Sequence, residues 1–316
     1  MLVIGSSSLV GSHFVESFAN KYEISAIGRR NIFGDSGLLS NFREVSLQNE
    51  SALREIIASS DAEFVVNYAA ETNVDGCEKE SGDLSGKVFV TNCESVGWMA
   101  AACKQVRKKF CQISTDFVFD GTKGPYLEND QAGPTSRKLS WYGFSKYMAE
   151  KRLIEVDPPG YCIVRTSYPY RAVFEYKLDF ARNILHLFEQ SRLYPMFKDQ
   201  IISPTLVDDI SSGVDFLISN GVEGTCHIAC KEPTTPFIFA SRLVSKFSSE
   251  QNPASRVQEG SILPLATGNG HRAPRPINGG LRTDRIQSLG FIPRTFEEGI
   301  DSLFKQIADH NGALTR

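Results

Sequence analysis

The sequence predicts an α/β protein built on a doubly wound parallel sheet, with a smaller C-terminal lobe. Three observations carry this expectation. Short runs rich in Val, Ile and Phe alternate with amphipathic stretches through the first half. A glycine-bounded turn, "GSSSLVG" at residues 5–11, follows the first run and opens the first helical pattern. The composition, 41% hydrophobic and 22% charged over 316 residues, is that of a globular chain able to bury a core.

The strands read as "MLVIG", "YEISAIG", "EFVVNYAA" and "RKKFCQISTDFVF". They are near-continuous apolar runs, as a sheet covered on both faces requires. Helical patterns separate them at 9–18, at 51–59 and in "KVFVTNCESVGWMAAACKQV". A further helix carries "SWYGFSKYMAEKRL" and stops at "DPPG", and "YCIVRTS" is the next strand. In the second half, 208–218 reads as a helix and "GTCHIAC" as a strand, both additions to the same sheet. Pro236 suits the first position of a helix with Phe237, Ala240, Leu243, Val244 and Phe247 on one face. Residues 249–283, rich in Gly, Pro, Ser and Arg, read as long loops, and a last helix carries Phe296, Ile300, Leu303, Phe304 and Ile307. A Rossmann-type NAD(P)-binding domain is therefore expected at 1–167, with segments near 205–230 returning to its sheet. Residues 168–316 are expected to form mainly a substrate-binding lobe.

A net charge of −3 gives no electrostatic reason for a nucleic-acid or anionic-membrane partner. No apolar run reaches the roughly 18 residues that a membrane span needs. The opening "MLVI" leads straight into a turn, so no signal peptide is expected. Seven cysteines are scattered without a C-x-x-C, and no cluster completes a set around Cys226 and Cys230. Free thiols in a cytoplasmic protein without a metal site are the expectation.

In the turn, Gly5 permits the sharp bend and Gly11 permits close packing of helix on sheet. Ser8 stands where a middle glycine is usual; its Cβ restricts the backbone's approach to a phosphate, while its hydroxyl can donate a hydrogen bond. Leu9 and Val10 begin the helix, whose N-terminus offers N–H groups and a positive dipole end to a pyrophosphate. The second strand ends in Arg29 and Arg30. Two arginines there would pair with the 2′-phosphate of NADPH, where an acidic residue would favour NADH. Two solvated loop arginines are the alternative.

Tyr-x-x-x-Lys occurs three times, at Tyr142–Lys146, Tyr147–Lys151 and Tyr194–Lys198. On a helix, Tyr142 and Lys146 lie about 40° apart and share their face with Ser145, Ala149 and Leu153, which suits packing on a sheet. Tyr147 points about 140° away, on a more polar side. Pro195 disfavours a helix through the third pair. The Tyr142 face is thus the candidate to meet a cofactor. A lysine ammonium beside a phenol stabilises phenolate, and the phenol can give its proton to a carbonyl oxygen as hydride arrives at carbon. Thr115, at the end of a predicted strand, can hold that oxygen.

Taken in order, "GSSSLVG", "NYAAETNVD", "STDFVFDG", "YGFSK", "VRTSY", "DQIISPT" and "APRPINGGL" give a sequence that resembles the dTDP-4-dehydrorhamnose reductases of the extended short-chain dehydrogenase/reductase superfamily, over about 2–290. The resemblance implies reduction of a 4-keto group on a nucleotide-linked 6-deoxysugar by NADPH, or by NADH. It implies a triad of Thr115, Tyr142 and Lys146, and a cofactor bordered by Gly5, Ser8, Gly11, Arg29, Arg30, Asn67, Ala69 and Ala70, with Arg165 and Thr166 beyond the triad. The sugar-nucleotide side would include Thr72, Val74, Asp75, Asp116, Pro204, Thr205 and Arg275. His271, Arg272, Arg275 and Arg282 can equally be an ordinary polar surface. A homodimer is compatible with the resemblance. Three departures stand out: Ser8; "VSLQN" at 45–49, which lacks the usual acidic residue; and the loop after Tyr168, which is unlike the family's pattern.

Related 4,6-dehydratases place Asp-Glu directly after the threonine; here Asp116 is followed by Phe117, which favours reduction. Epimerases retain a bound NAD, which Arg29 and Arg30 do not favour. A non-catalytic regulator like the β-subunit of methionine adenosyltransferase is the rival from another class, and the intact triad weighs against it.

Overall fold

Residues 1–265 and 272–310 are described in this computed structural model of the chain. Seven parallel strands form the central sheet: β1 (Leu2–Ile4), β2 (Ser25–Gly28), β3 (Asn41–Glu44), β4 (Phe64–Asn67), β5 (Lys109–Thr115), β6 (Cys162–Thr166) and, last in sequence, β10 (Gly224–His227). Their order is β10-β6-β5-β4-β1-β2-β3, so the chain winds outward from β1 in both directions. This is the doubly wound α/β sheet the sequence predicts. "GTCHIAC" does reach the sheet, as the edge neighbour of β6. The edge strand β3 carries only one apolar residue, Phe42, and is mostly exposed, which is why no apolar run announces it.

Helices cover both faces. On one side α2 (Glu50–Ser59), α5 (Ser95–Gln105) and α6 (Trp141–Val156) bury Leu53, Ile57, Val96, Met99, Ala149 and Leu153 against the sheet. On the other, α1 (Leu9–Phe18) and α8 (Val207–Ser219) bury Phe14, Val15, Ile210, Val214 and Leu217. The stretch read as one helix at 87–106 is α4 (Lys87–Phe89), a π-helical turn (Val90–Glu94) and then α5. That turn sets Asn92 to hold the Glu71 backbone on one side and the Ser145 hydroxyl on the other.

A separate apolar core lies beyond β6. It is built by β7 (Pro169–Tyr170), β9 (Thr205–Leu206), α7 (Phe180–Glu189), α9 (Pro236–Phe247) and α11 (Phe296–Asp309), with Tyr170, Leu185, Phe239, Leu243 and Leu303 at its centre. Pro236 opens α9 and Thr235 caps it. Helix α7, with Asp179 as its cap, has no counterpart in the sequence reading. Among the described residues between 249 and 283 no long element occurs, as expected, but these loops are pinned. β8 (Met196–Phe197) pairs with β11 (Glu259–Gly260), and Tyr126 exchanges backbone hydrogen bonds with Gly280 and Arg282, each 2.8 Å. Among the described residues, no helix is long and apolar enough to cross a membrane.

Candidate active site

The carboxyl ends of β1, β2, β4, β5 and β6 line one edge of the sheet, where the chain order reverses. At β1, Gly5 takes φ +80°, and a Cβ there would lie 2.7 Å from the Ala69 nitrogen. A Cβ on Gly11 would lie 2.4 Å from the Gly5 carbonyl oxygen. Both positions are therefore closed to any side chain. Ser8 caps α1: its hydroxyl accepts from the Gly11 N–H at 3.0 Å and keeps its own proton for donation. The Val10 side chain points into the core, so Leu9 and Val10 face this edge through the backbone at the start of α1. The Ser6 hydroxyl is buried in the turn with no partner.

Beside the turn lies a cavity of about 380 Å³ lined by Gly5, Ser8, Arg29, Ala69, Ala70 and the 45–48 segment, among others. The unusual "VSLQN" stretch thus lies at this cavity despite lacking an acid. Arg29 lines it, and Glu71 intrudes, 2.7 Å from the Lys87 ammonium and 3.9 Å from the Arg29 guanidinium. The sequence reading singled out neither Glu71 nor Lys87. Arg30 turns elsewhere and stacks 4.0 Å from the Tyr176 ring centroid. Asn67 is fully buried beneath the cavity; its amide donates to Gln112 at 2.9 Å and its carbonyl accepts from the Ala69 N–H at 3.0 Å. It shapes the Ala69–Ala70 turn from below.

The three Tyr-x-x-x-Lys pairs separate cleanly. Tyr142 and Lys146 both lie on α6 above β5. Tyr147 packs beside Gly133, with the Lys151 ammonium 5.9 Å from its ring. Tyr194 is exposed and Lys198 pairs with Glu259. Ser140 caps α6 through the Gly143 N–H at 3.1 Å. A Cβ on Gly143 would come 2.2 Å from the Phe117 carbonyl oxygen, so glycine lets the helix sit close to the end of β5.

Burial pushes the Tyr142 phenol well above its ordinary pKa, opposed by the nearby Thr115 hydroxyl. Burial also lowers the Lys146 ammonium to about 8, with Glu150 opposing. The ammonium donates to the Ile113 carbonyl at 2.7 Å. Contrary to the expected lowering by the lysine, Lys146 is not among the groups that act on the phenol here; burial sets the direction, and the phenol stays protonated at neutral pH. Thr115 donates to Asp116 Oδ1 at 2.9 Å, and Ser167 donates to Asp116 Oδ2 at 2.8 Å. Asp116 lies behind Thr115 rather than in open space. Phe117 occupies the position after it and meets the Tyr142 ring edge-on, with centroids 5.8 Å apart. Thr166, opposite Thr115 in the sheet, has a buried hydroxyl with no partner. Arg165 points inward to Glu150, with Nη2 at 2.7 Å.

Across the site, α3 (Val74–Glu78) packs against α6, with Cys77 in the core on that face of the sheet. Asp75 accepts from Arg275 Nη2 at 2.9 Å and from the Ala273 N–H at 2.9 Å, so Val74, Asp75 and Arg275 are brought together. The Thr72 hydroxyl receives Lys177 at 3.3 Å. Thr205 is buried and donates to the Ser167 carbonyl at 3.0 Å. Arg282 pairs with Asp284 at the surface, and His271 lies outside the described residues. Tyr168 is held at φ +43°, a strained value for a tyrosine, with its ring 6.4 Å from that of Phe117. Only chain folding, not spacing, reveals Tyr168, Ser167 and Gln200 as neighbours of Asp116 and Pro276.

The turn closed to side chains, the unpartnered Ser6 and Thr166 hydroxyls and the positive helix end fit a dinucleotide. Fold and site geometry are those of the extended short-chain dehydrogenase/reductase superfamily. More narrowly, the chain belongs to the family described as the RmlD substrate binding domain, which matches residues 1–308. It is similar to a dTDP-4-dehydrorhamnose reductase of Burkholderia thailandensis, 27% identical over 299 residues, 91% of each chain. A reductase of the same name from Sinorhizobium fredii is 30% identical over 248 residues, covering 75% of this chain and 78% of that one. Among solved structures, the dTDP-4-dehydrorhamnose reductase of Bacillus anthracis in complex with NADP superimposes with a TM-score of 0.79 at 25% identity, covering 96% of this chain and 98% of that one.

Proposed function

We propose that this protein reduces the 4-keto group of a nucleotide-linked 6-deoxysugar with NADPH. The observation that carries the reading is the placement of Thr115 at the end of β5, with Tyr142 and Lys146 one turn apart on α6 above it and the Lys146 ammonium donating to the Ile113 carbonyl at 2.7 Å. NADPH, when bound, supplies the hydride. Gly5, Ser8, Gly11 and the start of α1 would hold its pyrophosphate, with Arg29 toward the adenosine phosphate, Arg30 beside it on the Tyr176 ring, and Asn67, Ala69 and Ala70 along the floor. Thr115 would turn its one hydroxyl proton from Asp116, which accepts it here, to the sugar carbonyl oxygen. Tyr142, protonated by burial, is the acid that gives this oxygen its proton. Lys146 holds the ribose and offsets the charge left on the phenolate.

Residues 168–316 would supply most of the sugar-nucleotide side, through Thr205 and Arg275, with Thr72, Val74 and Asp75 across the cleft. Phe117, packed on Tyr142, supports reduction over dehydration, because no carboxylate stands there. All seven cysteines are free and buried, which supports a cytoplasmic setting. A homodimer remains part of the proposal, to be weighed by light scattering.

The test is NADPH absorbance against a panel of dTDP-, UDP- and GDP-linked 4-keto-6-deoxysugars. Oxidation of NADPH with at least one, and with none of the corresponding 4-hydroxy sugars, is the expected result. Tight NADPH binding without turnover on any of them would instead support the regulatory reading.

A further inference from the structure

Behind Lys146 lies a charged cluster that the reaction above does not use. Lys146 and Glu150 are one turn apart on α6, and each is 3% exposed. Successive residues of β5 receive them: the Ile113 carbonyl accepts from Lys146 at 2.7 Å, and the Ser114 hydroxyl donates to Glu150 Oε1. Arg165 of β6 grips the same carboxylate, with Nε 3.0 Å from Oε1 and Nη2 2.7 Å from Oε2. The arginine is otherwise saturated. Its Nη1 reaches the Glu128 carbonyl at 3.3 Å and His227 Nε2 at 3.4 Å, and its guanidinium lies 4.9 Å from the Phe119 ring centroid. His227 is fully buried and neutral, held down to about 3 by burial and Arg165, which assigns its proton to Nδ1 against the Arg282 carbonyl at 2.9 Å.

A buried ion pair is weak ground for stability, since apolar residues of similar volume often serve as well. Its placement gives this one a second use. We propose that Glu150, clamped by Arg165 and Ser114, is a positioning residue that keeps the Lys146 ammonium charged and held at the end of β5. The purpose of that charge rests on the reductase reading; the neighbourhood of the two buried charges, one turn apart on α6 without direct contact, does not.

The groups around the ammonium decide the sign. On α6 itself they are Glu150 and, one turn earlier, the protonated Tyr142. From the π-helical turn comes Cys93, a thiol pushed up to about 11 by burial and so uncharged at neutral pH. From β5 comes the Ile113 carbonyl, and Arg165 of β6 acts through the Glu150 carboxylate. Glu150 thus provides the negative charge that opposes desolvation of the lysine.

The 13Cε and 15Nζ resonances of Lys146, assigned by their loss in Lys146→Arg, report its titration with neither cofactor nor sugar present. The wild-type midpoint is expected near 8. Glu150→Gln is expected to lower it by about one unit or more. Because that variant strands a buried arginine, Glu150→Gln/Arg165→Gln is measured beside it; both charges are gone and the midpoint falls likewise. NADPH affinity, read by fluorescence, should fade at correspondingly lower pH in both variants. An unmoved Lys146 midpoint in either folded variant overturns the proposal, whatever NADPH does. Failure of the wild type to bind NADPH would sink the reductase reading, while the resonance midpoints still decide whether Glu150 acts on Lys146.

Discussion

Thr115 donates its hydroxyl proton to Asp116 at 2.9 Å, so the residue that would hold a substrate carbonyl is itself held by a buried carboxyl group. That group is 1% exposed. Burial raises its pKa from 3.8 to about 7, against the opposing hydrogen bonds from Ser167 and Thr115.

The raised value fixes a pH dependence. Between 3.8 and about 7 the folded carboxyl keeps a proton that the unfolded chain has released. Folded protein then binds more protons than unfolded, so this group's contribution to stability falls as pH rises through that window and is level outside it. Asp116→Asn should flatten the urea-unfolding free energy against pH by one proton across the window. A slope identical to wild type would show that Asp116 does not titrate there.

Tyr142→Phe removes one hydroxyl and keeps the ring that packs against Phe117 at 5.8 Å. With the phenol as the proposed proton donor, turnover should drop by about 10²–10⁴-fold. NADPH affinity should be unaffected. Retained turnover in single-turnover kinetics would take Tyr142 out of the reaction.

The parts of the fold that were legible in the sequence are those fixed by local chemistry. Strands β1, β4, β5 and β6 are apolar because helices cover both faces, and Pro236 opens its helix as its fixed backbone angle requires. Edge strand β3 was not legible, because an exposed edge needs no apolar run. The π-helical turn was hidden, since its apolar pattern runs on into α5 without a break. In the site, Gly5, Gly11, Thr115, Tyr142 and Lys146 lie in motifs; Glu71, Ser167 and Tyr168 also lie in quoted motifs but without a role legible there, and Lys87 and Tyr176 lie in none. Neither the stacking of Arg30 on Tyr176 nor the raising of the phenol by burial can be read from spacing, because both depend on what surrounds the side chains.

That stacking divides the work of the two arginines. Arg29 lines the cavity near Ala69, whereas Arg30 rests on a tyrosine from the segment before α7. Arg29→Ser/Arg30→Ser should raise the dissociation constant for NADPH by roughly tenfold or more, through lost charge-assisted hydrogen bonds to the 2′-phosphate. NADH, lacking that phosphate, should be little affected. Tyr176→Ala should weaken NADPH less than the arginine pair does. Fluorescence titration with both cofactors measures this; equal losses for the two would remove the 2′-phosphate assignment.

Arg275 tests the sugar-nucleotide side. In this structure it donates to Asp75 at 2.9 Å and to its own neighbour Ala273 at 2.9 Å, so its head is tethered beside the start of α3. A guanidinium there can share its donors with a diphosphate, which is bound alike before and during hydride transfer. Arg275→Met should therefore raise KM for the nucleotide sugar by about tenfold with kcat largely kept, as loss of one charge-assisted pair implies. NADPH binding should stay as in wild type. Asp75→Asn should leave the arginine in place with one partner fewer and raise KM less. A KM unmoved by Arg275→Met would place the diphosphate elsewhere, and a fall in NADPH affinity would place Arg275 on the cofactor instead.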